Sequence, residues 1–276
     1  MTAELHPASD REAERIWPVV RRAHLFETFG EYERFRSEAP WRIEVSERGE
    51  AVVLDRWRTH LDVLAIRGMW CALDRIPALI GGLAGVARGQ RFGRLLSPLV
   101  SAEMASHYER SGMEQLVRIV VIKSARGYHG SDVDSPAAGV RLRQASLSDL
   151  EALTELDAEC FDDFWRYDRD VLAGHFDAGR VVVAERRGTI IGYTLTTMIG
   201  GSATLGRIAV HPGHRGHGVG RALLTDALSY SVRSGMDAMT LCTQEENTRS
   251  RRLYAAAGMR ELPDRLVFLV QDLGRE

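Results

Sequence analysis

Lysine is almost missing from this chain. Of its 36 basic residues only Lys123 is a lysine, so a Schiff-base lysine or the lysine of a phosphate loop has scarcely a candidate. Cysteine is scarce too. Cys71, Cys160 and Cys242 are odd in number and widely spaced, which argues for reduced thiols and against a disulfide framework or a zinc site. Neither sign of charge is in excess: 36 basic against 38 acidic residues give a formal net charge of −2. That leaves no basic face, and no nucleic-acid partner is expected. Long apolar runs are absent as well. Of the two charge-poor stretches, Ile76 to Ala87 is too short to span a bilayer, and Gly188 to Gly206 is broken by Gly192, Gly200, Gly201 and several threonines. No membrane partner is expected. The N-terminus, MTAELHPASDREAERIW, carries charges where a secretory signal needs an apolar run, so the expected location is cytoplasmic.

What is present suits two ordinary domains. The 276 residues are 45% hydrophobic, and domains usually hold about 100 to 200 residues. The segment SARGYHGSDVDSPAAG, residues 124–139, is small, polar and rich in turn formers, and reads as a linker between domains at 1–123 and 140–276. In the first half, Ser9-Asp10-Arg11-Glu12 has capping-box form and opens a helix. Strands are expected over Ile43 to Leu54, hinged at Gly49, over Leu61 to Ile66, and over Leu116 to Ile122, with helices over 75–89 and 102–110. In the second half, Ser148-Asp149-Leu150-Glu151 has the same capping form. Strands are expected at Val181 to Glu185 and Thr189 to Thr197, joined at Gly188, then at Leu205 to Val210, Met239 to Thr243 and Leu266 to Val270.

The halves echo one another. Tyr108-x-x-x-Gly112-Met113 stands against Tyr254-x-x-x-Gly258-Met259 at an offset of 146 (254 − 108), while the hairpin glycines Gly49 and Gly188 give 139 (188 − 49). Order and spacing together point to a tandem duplication whose second copy is longer between these anchors.

The interval that differs holds the most distinctive stretch of the chain, TLGRIAVHPGHRGHGVGRALL from Thr204 to Leu224. It reads as strand, His-Pro turn, glycine-rich loop and helix start. A helix N-terminus entered through glycines offers free amides and a positive dipole end to a phosphate. It is not a Walker A loop, because Gly220 is followed by Arg221 and Ala222 rather than lysine and Ser/Thr. The GxGxG spacing late in the chain does not fit a dinucleotide fingerprint either. Arg215, Gly218 and Gly220, behind the strand Ile208-Ala209-Val210, instead resemble motif A of the GNAT acyltransferases, Q/R-x-x-G-x-G/A.

That resemblance implies an α/β fold (an α+β mixed sheet) in two tandem GNAT-like domains: a degenerate copy over 1–123 without a CoA loop and an acetyltransferase domain over 140–276. It implies acetyl-CoA as cosubstrate and no metal, with the cofactor on Ile208, Ala209, Val210, Arg215, Gly216, His217, Gly218, Val219, Gly220, Arg221 and Asn247. Val210 N–H would donate to the thioester oxygen, and Tyr254 would be the general acid. Tyr108 at the equivalent place in the first half leaves a packing role for Tyr254 open. The base is open among Glu185, Asp157, Glu159, Asp162, Asp163, His175 and His211. His211, His214 and His217 recur every third residue, but in a loop with no fourth ligand they do not make a metal site. The resemblance implies an N-acetyltransferase acting on a small-molecule amine by direct attack in a ternary complex, as a monomer or homodimer. A non-catalytic acyl-CoA-binding module is the alternative. The acidic and aromatic run Asp157, Glu159, Phe161, Asp162, Asp163, Phe164 and Trp165 falls where that family often builds its acceptor side.

Overall fold

The computed structural model describes residues 2–58, 60–125, 139–199 and 201–274. The first half contains β1 (Leu5–Pro7), α1 (Asp10–Arg22), α2 (Phe29–Glu38), β2 (Ile43–Ser46), β3 (Ala51–Trp57), β4 (His60–Trp70), α3 (Ile76–Gly89), β5 (Arg94–Leu96), β6 (Val100–Ser101), α4 (Ala105–Glu109) and β7 (Glu114–Lys123). The second contains β8 (Arg141–Gln144), α5 (Leu150–Cys160), α6 (Arg169–Ala178), β9 (Gly179–Arg186), β10 (Thr189–Ile199), β11 (Ser202–Val210), α7 (Val219–Arg233), β12 (Met239–Gln244), α8 (Thr248–Ala256) and β13 (Arg260–Asp272).

Two compact units result, and they do not follow chain order: one runs to Arg118 and takes in the stretch from Leu266, the other is Ile119–Arg265. The expected halves, 1–123 and 140–276, therefore differ from the compact units by one strand segment each. Residues 126 to 138 of the expected linker lie outside the described residues.

The sheet of the first unit runs β1-β2-β3-β4-β5 and is finished by β13, whose Val270 to Asp272 pair antiparallel with Leu96 to Arg94. That of the second runs β8-β9-β10-β11-β12 and is finished by β7, where Ile119 to Lys123 pair antiparallel with Gln244 to Thr240. In both, four antiparallel strands are followed by one parallel pairing, β4 with β5 and β11 with β12. The expected mixed sheet in two tandem copies is what the structure shows.

Each sheet is covered on both faces. In the second unit Leu205, Leu224, Leu228, Leu241 and Tyr254 form the core under α7 and α8, with Val120 and Ile122 from β7. Leu153, Leu172, Val183, Tyr193 and Leu195 form the core under α5 and α6. In the first unit Val52, Leu64, Ile80, Leu83 and Leu95 pack with Val267 and Leu269 of β13.

Some local expectations shift. Ser9 and Glu12 make the capping box, with Glu12 accepting from the Ser9 amide at 3.0 Å. Its partner in the second half starts at Ser146, not Ser148: Asp149 accepts from the Ser146 amide at 2.8 Å, and a single 3-10 turn leads into α5. The expected helix over 102–110 shrinks to the five residues of α4. α2 escaped the periodicity argument because its sequence, FGEYERFRSE, mixes charge around the whole helix, and Tyr32 is its one fully buried side chain. Its start is nonetheless chemically marked, since Thr28 accepts from the Glu31 amide at 3.1 Å.

The internal echo has a structural basis. α4 and α8 both end in a Schellman motif: Gly112 N–H meets Glu109 O at 2.9 Å and Met113 N–H meets Tyr108 O at 3.4 Å, while Gly258 N–H meets Ala255 O at 2.9 Å and Met259 N–H meets Tyr254 O at 3.0 Å. A bulge also recurs. Arg67 of β4 and Gly206 of β11 (206 − 67 = 139) are each the extra residue where the register with the preceding strand shifts.

The exchanged strand segments make a testable pair. Ile122→Ala and Leu269→Ala each empty a fully packed site and should cost about 2–5 kcal/mol. Amide hydrogen exchange should show Ile122→Ala loosening α7, α8 and β12 while Leu269→Ala loosens α3 and β4. Loosening confined to residues 1–118 in the first variant would refute the unit assignment.

Candidate active site

β11 is where the second unit opens. It stays paired with β10 as far as Val210, but with β12 it pairs only at Ala203 and Thr204. His211 N–H donates to Ile191 O at 2.9 Å, and Val210 lies opposite Gly192. In an antiparallel ladder that pattern makes Val210 and Gly192 a non-hydrogen-bonded pair, so the N–H and C=O of Val210, and of Ile208 two residues earlier, point away from β10. They point to the side that β12 has left. Main-chain polar groups of Ile208 and Val210 thus line a gap between two parallel strands. Ala209 is placed differently: its main chain belongs to the ladder with Tyr193, and its side chain is buried in the core under α5.

The bulge at Gly206 sets this arrangement. Ala203 and Leu205 face α7, and one extra residue then turns Arg207 and Ala209 toward α5 while Ile208 and Val210 pack against Val219 and Leu223.

From Val210 the chain enters the loop. His211 Nδ1 accepts from Gly213 N–H at 3.0 Å, closing a turn at Pro212–His214. Arg215 Nε donates to Val210 O at 2.9 Å, so this arginine braces the strand end. Gly218 is the N-cap of α7 with φ +81°, a left-handed conformation that costs a side-chain-bearing residue about 1–2 kcal/mol. The first bond of the helix is Ala222 N–H to Gly218 O, 3.0 Å, and no side chain caps it. Val219, Gly220 and Arg221 therefore begin the helix at its positive end, with exposed Gly216 and His217 beside them. Gly192 lets this end settle on the sheet: a Cβ there would lie 2.8 Å from Ala209 O and 3.1 Å from Leu223.

Across the gap stands α8. Asn247 is its N-cap, accepting from Ser250 N–H at 3.2 Å and donating through Nδ2 to Thr243 Oγ1 at 3.2 Å. Tyr254 is buried, and burial pushes its hydroxyl up to about 12 against a hydrogen bond with Ser250. Tyr108 in the first unit is equally buried, and burial pushes it to about 12 too.

On the opposite face lies a group that sequence reasoning missed. Arg207 is buried between the rings of Tyr167 and Phe161, its Cζ 3.6 and 4.0 Å from their centroids. It donates to Trp165 O at 2.8 Å and stands 3.4 Å from Asp157. Asp157 in turn accepts from Tyr193 OH and, at 2.6 Å, from Tyr167 N–H. The connection from Phe161 to Asp168 is thereby clamped to β11 and α5. The available signal was a single arginine inside the apolar strand Leu205 to Val210.

The same contacts sort the base candidates. Asp157 is fully buried and engaged in this clamp. Glu185 lies on Arg143 at 2.8 Å, Asp162 accepts from Trp165 N–H at 3.2 Å, Asp163 is 3.1 Å from Arg166, and His175 stacks on Tyr167. Glu159, at the exposed end of α5, meets His211 Nε2 at 2.9 Å, directly after Val210. Beside them the half-buried Cys160 thiol is raised by burial, although a hydrogen bond from Arg215 opposes the shift.

Residues 150–259 match the model of the acetyltransferase (GNAT) family. A mycothiol acetyltransferase of Thermobispora bispora is 33% identical over 136 residues, 44% of this chain and 46% of that protein, so the chain spans about half the length of this relative. Among solved structures, a GCN5-related N-acetyltransferase from Sphaerobacter thermophilus aligns with TM-score 0.67 at 19% identity, covering 84% of this chain and 80% of that one. A tandem GNAT protein from the clavulanic acid biosynthesis pathway aligns with TM-score 0.65 at 19% identity, covering 85% and 83%. These two likenesses are of fold. In the second unit the open strand, the glycine-entered helix and the family match fall on the same residues, and residues 150–259 form a domain of the acetyltransferase (GNAT) family.

Proposed function

We propose that the chain is an acetyl-CoA-dependent N-acetyltransferase that acetylates the amine of a small molecule by direct attack in a ternary complex. The observation that carries this reading is the junction of the gap with the uncapped helix: main-chain groups of Ile208 and Val210 that pair with neither β10 nor β12 lead straight to the N-terminus of α7. A pantetheine amide needs such strand-like partners and a pyrophosphate such a helix end, so the residues fit the cofactor. Acetyl-CoA would supply the acetyl thioester.

The chain's own residues do the rest. Ile208 and Val210 hold the arm, and the amides of Gly216, His217, Gly218, Val219, Gly220 and Arg221 take the pyrophosphate. Val210 N–H, fixed by the ladder and braced through Arg215, donates to the thioester oxygen. Tyr254, a phenol protonated at neutral pH, is the proton donor to the departing thiolate. Direct attack is favoured because Cys160, the cysteine beside the strand end, does not suit a covalent relay: burial raises its thiol away from the thiolate form. One observation favours the alternative of a non-catalytic acyl-CoA-binding module, namely that Tyr108 and Tyr254 occupy matching buried sites.

Two measurements test this. Gly218→Val should weaken CoA binding about tenfold or more by calorimetry, since the loop needs the left-handed conformation there. Gly220→Ala should be mild, because its Cβ would meet Leu253 at 3.4 Å and Val210 at 3.6 Å, ordinary contacts. Equal affinities for wild type and Gly218→Val would remove the pyrophosphate from this loop. Tyr254→Phe should lower kcat about 100-fold at unchanged CoA affinity, read as thiol release over an amine panel. Tight CoA binding with no acceptor-dependent thiol release from the wild type would instead establish the binding module.

A further inference from the structure

We infer that Glu159 is the proton acceptor for the attacking amine and that His211 is the residue that positions it. The inference rests on the acetyl-transfer reading and assigns the base that the sequence leaves open. Its basis is a contact between two elements that the chain keeps far apart, the last turn of α5 and the residue that follows Val210.

The hydrogen bonds fix the roles. Gly213 N–H donates to His211 Nδ1 at 3.0 Å, so Nδ1 is the unprotonated nitrogen of the neutral ring. Nε2 then carries the hydrogen and lies 2.9 Å from Glu159 Oε2, close enough to position the carboxylate. A neutral ring whose Nδ1 lone pair is taken by Gly213 N–H has no lone pair left for a substrate, which excludes His211 as the direct base. The carboxylate keeps Oε1 and its remaining lone pairs, and its side chain is 54% exposed, so an acceptor can reach it. The dyad also sits on the correct face: the bulge at Gly206 sends Ile208 and Val210 toward α7, while His211 reaches across to α5.

The other ionisable groups around it are committed or of the wrong kind. Asp157, two residues before Glu159, is buried on Arg207 and Tyr193; Arg215 holds Val210 O; the His214 ring lies 5.4 Å from that of His211. In the step itself an alkylammonium gives one proton to Glu159. The freed nitrogen forms the N–C bond as the thioester C–S bond breaks, the second amine proton leaves to solvent, and the thiolate takes the Tyr254 proton.

The test uses the full chain with acetyl-CoA and an alkylamine found to be a substrate. Glu159→Gln should lower kcat about 10²- to 10⁴-fold while CoA affinity, measured by calorimetry, stays within twofold. In this variant kcat/KM should go on rising with pH toward the pKa of the amine, about 10, where solution deprotonates the acceptor instead. Added formate should restore part of the rate of Glu159→Ala, an effect that a merely structural glutamate would not show. His211→Asn keeps an acceptor for Gly213 N–H but cannot reach Glu159, and should lower kcat by a smaller factor. On the free protein, nitrogen NMR of His211 should show the Nε2–H tautomer. A Glu159→Gln variant with kcat within threefold of wild type, or an Nδ1–H tautomer, overturns the assignment. Wild-type chain that releases no thiol with any amine defeats the acetyl-transfer reading itself and this inference with it.

Discussion

The second unit depends on a parallel pairing that stops early. β11 and β12 are bonded at two positions, Ala203 with Met239 and Thr204 with Thr240, and then separate. The cause is local: the extra residue at Gly206 bends β11 and reverses which side chains face which layer. Beyond the bend, the polar groups of Ile208 and Val210 have no strand to pair with, and a main-chain group buried without a partner costs about 1–3 kcal/mol. Such groups create a demand for something extended and polar to lie beside them. The loop from His211 to Gly218 begins at the mouth of that gap and ends at a positive helix terminus, so the demand for a strand-like arm and the demand for an anion are met along one line.

The first unit has a similar gap but a different helix entrance. It has the matching bulge at Arg67, and β4 also leaves β5 after three paired positions. The connection after β4 is different. Cys71 to Arg75 is short, Asp74 sits just ahead of α3, and Pro77 stands at the start of the helix. The aspartate supplies its own negative charge where an anion would bind, proline removes one of the amides that would bind it, and Arg75 is held by Glu50 at 2.7 Å. On the proposed reading a common scaffold is open to a phosphate in one copy and closed to it in the other, by a few residues at one helix entrance.

The loop, the tandem copies and most strands were legible in the sequence because glycines, capping residues and period-two apolar runs are local signals. Three things were not. The strand exchange is invisible because Ile119 to Ile122 and Leu266 to Leu269 are apolar runs that would complete either sheet equally well, and only packing selects which. The capping box shifted because Ser146 and Ser148 both precede suitable acids, and Arg143, bonded to Asp149 at 2.8 Å, favours the former. The clamp on Arg207 was missed since its partners Asp157, Trp165 and Tyr167 lie 40 or more residues away, and no spacing rule relates them. The meeting of Glu159 with His211 was half visible: both were candidates, but nothing in the sequence joined them.

Tyr254 shows how a shared packing role and an unshared chemical one can occupy a single residue. Its ring anchors the Schellman motif as that of Tyr108 does, and both rings fill the core behind a helix end. Their helices differ at the start. In the second unit the Asn247 side chain donates to Thr243 Oγ1 and accepts from Ser250 N–H, which caps α8 one turn before Tyr254. In the first, Ser101 stands in the place of Asn247, no side chain caps α4, and the residue four before the tyrosine is Met104, which packs into the apolar core. The aromatic ring is therefore explained by the fold in both copies, whereas the side-chain cap at the start of its helix accompanies the loop. That pairing of a side-chain-capped α8 with a glycine-entered α7 sets the second unit apart, and it is a stronger argument for the proposed chemistry at Tyr254 than the presence of the tyrosine itself.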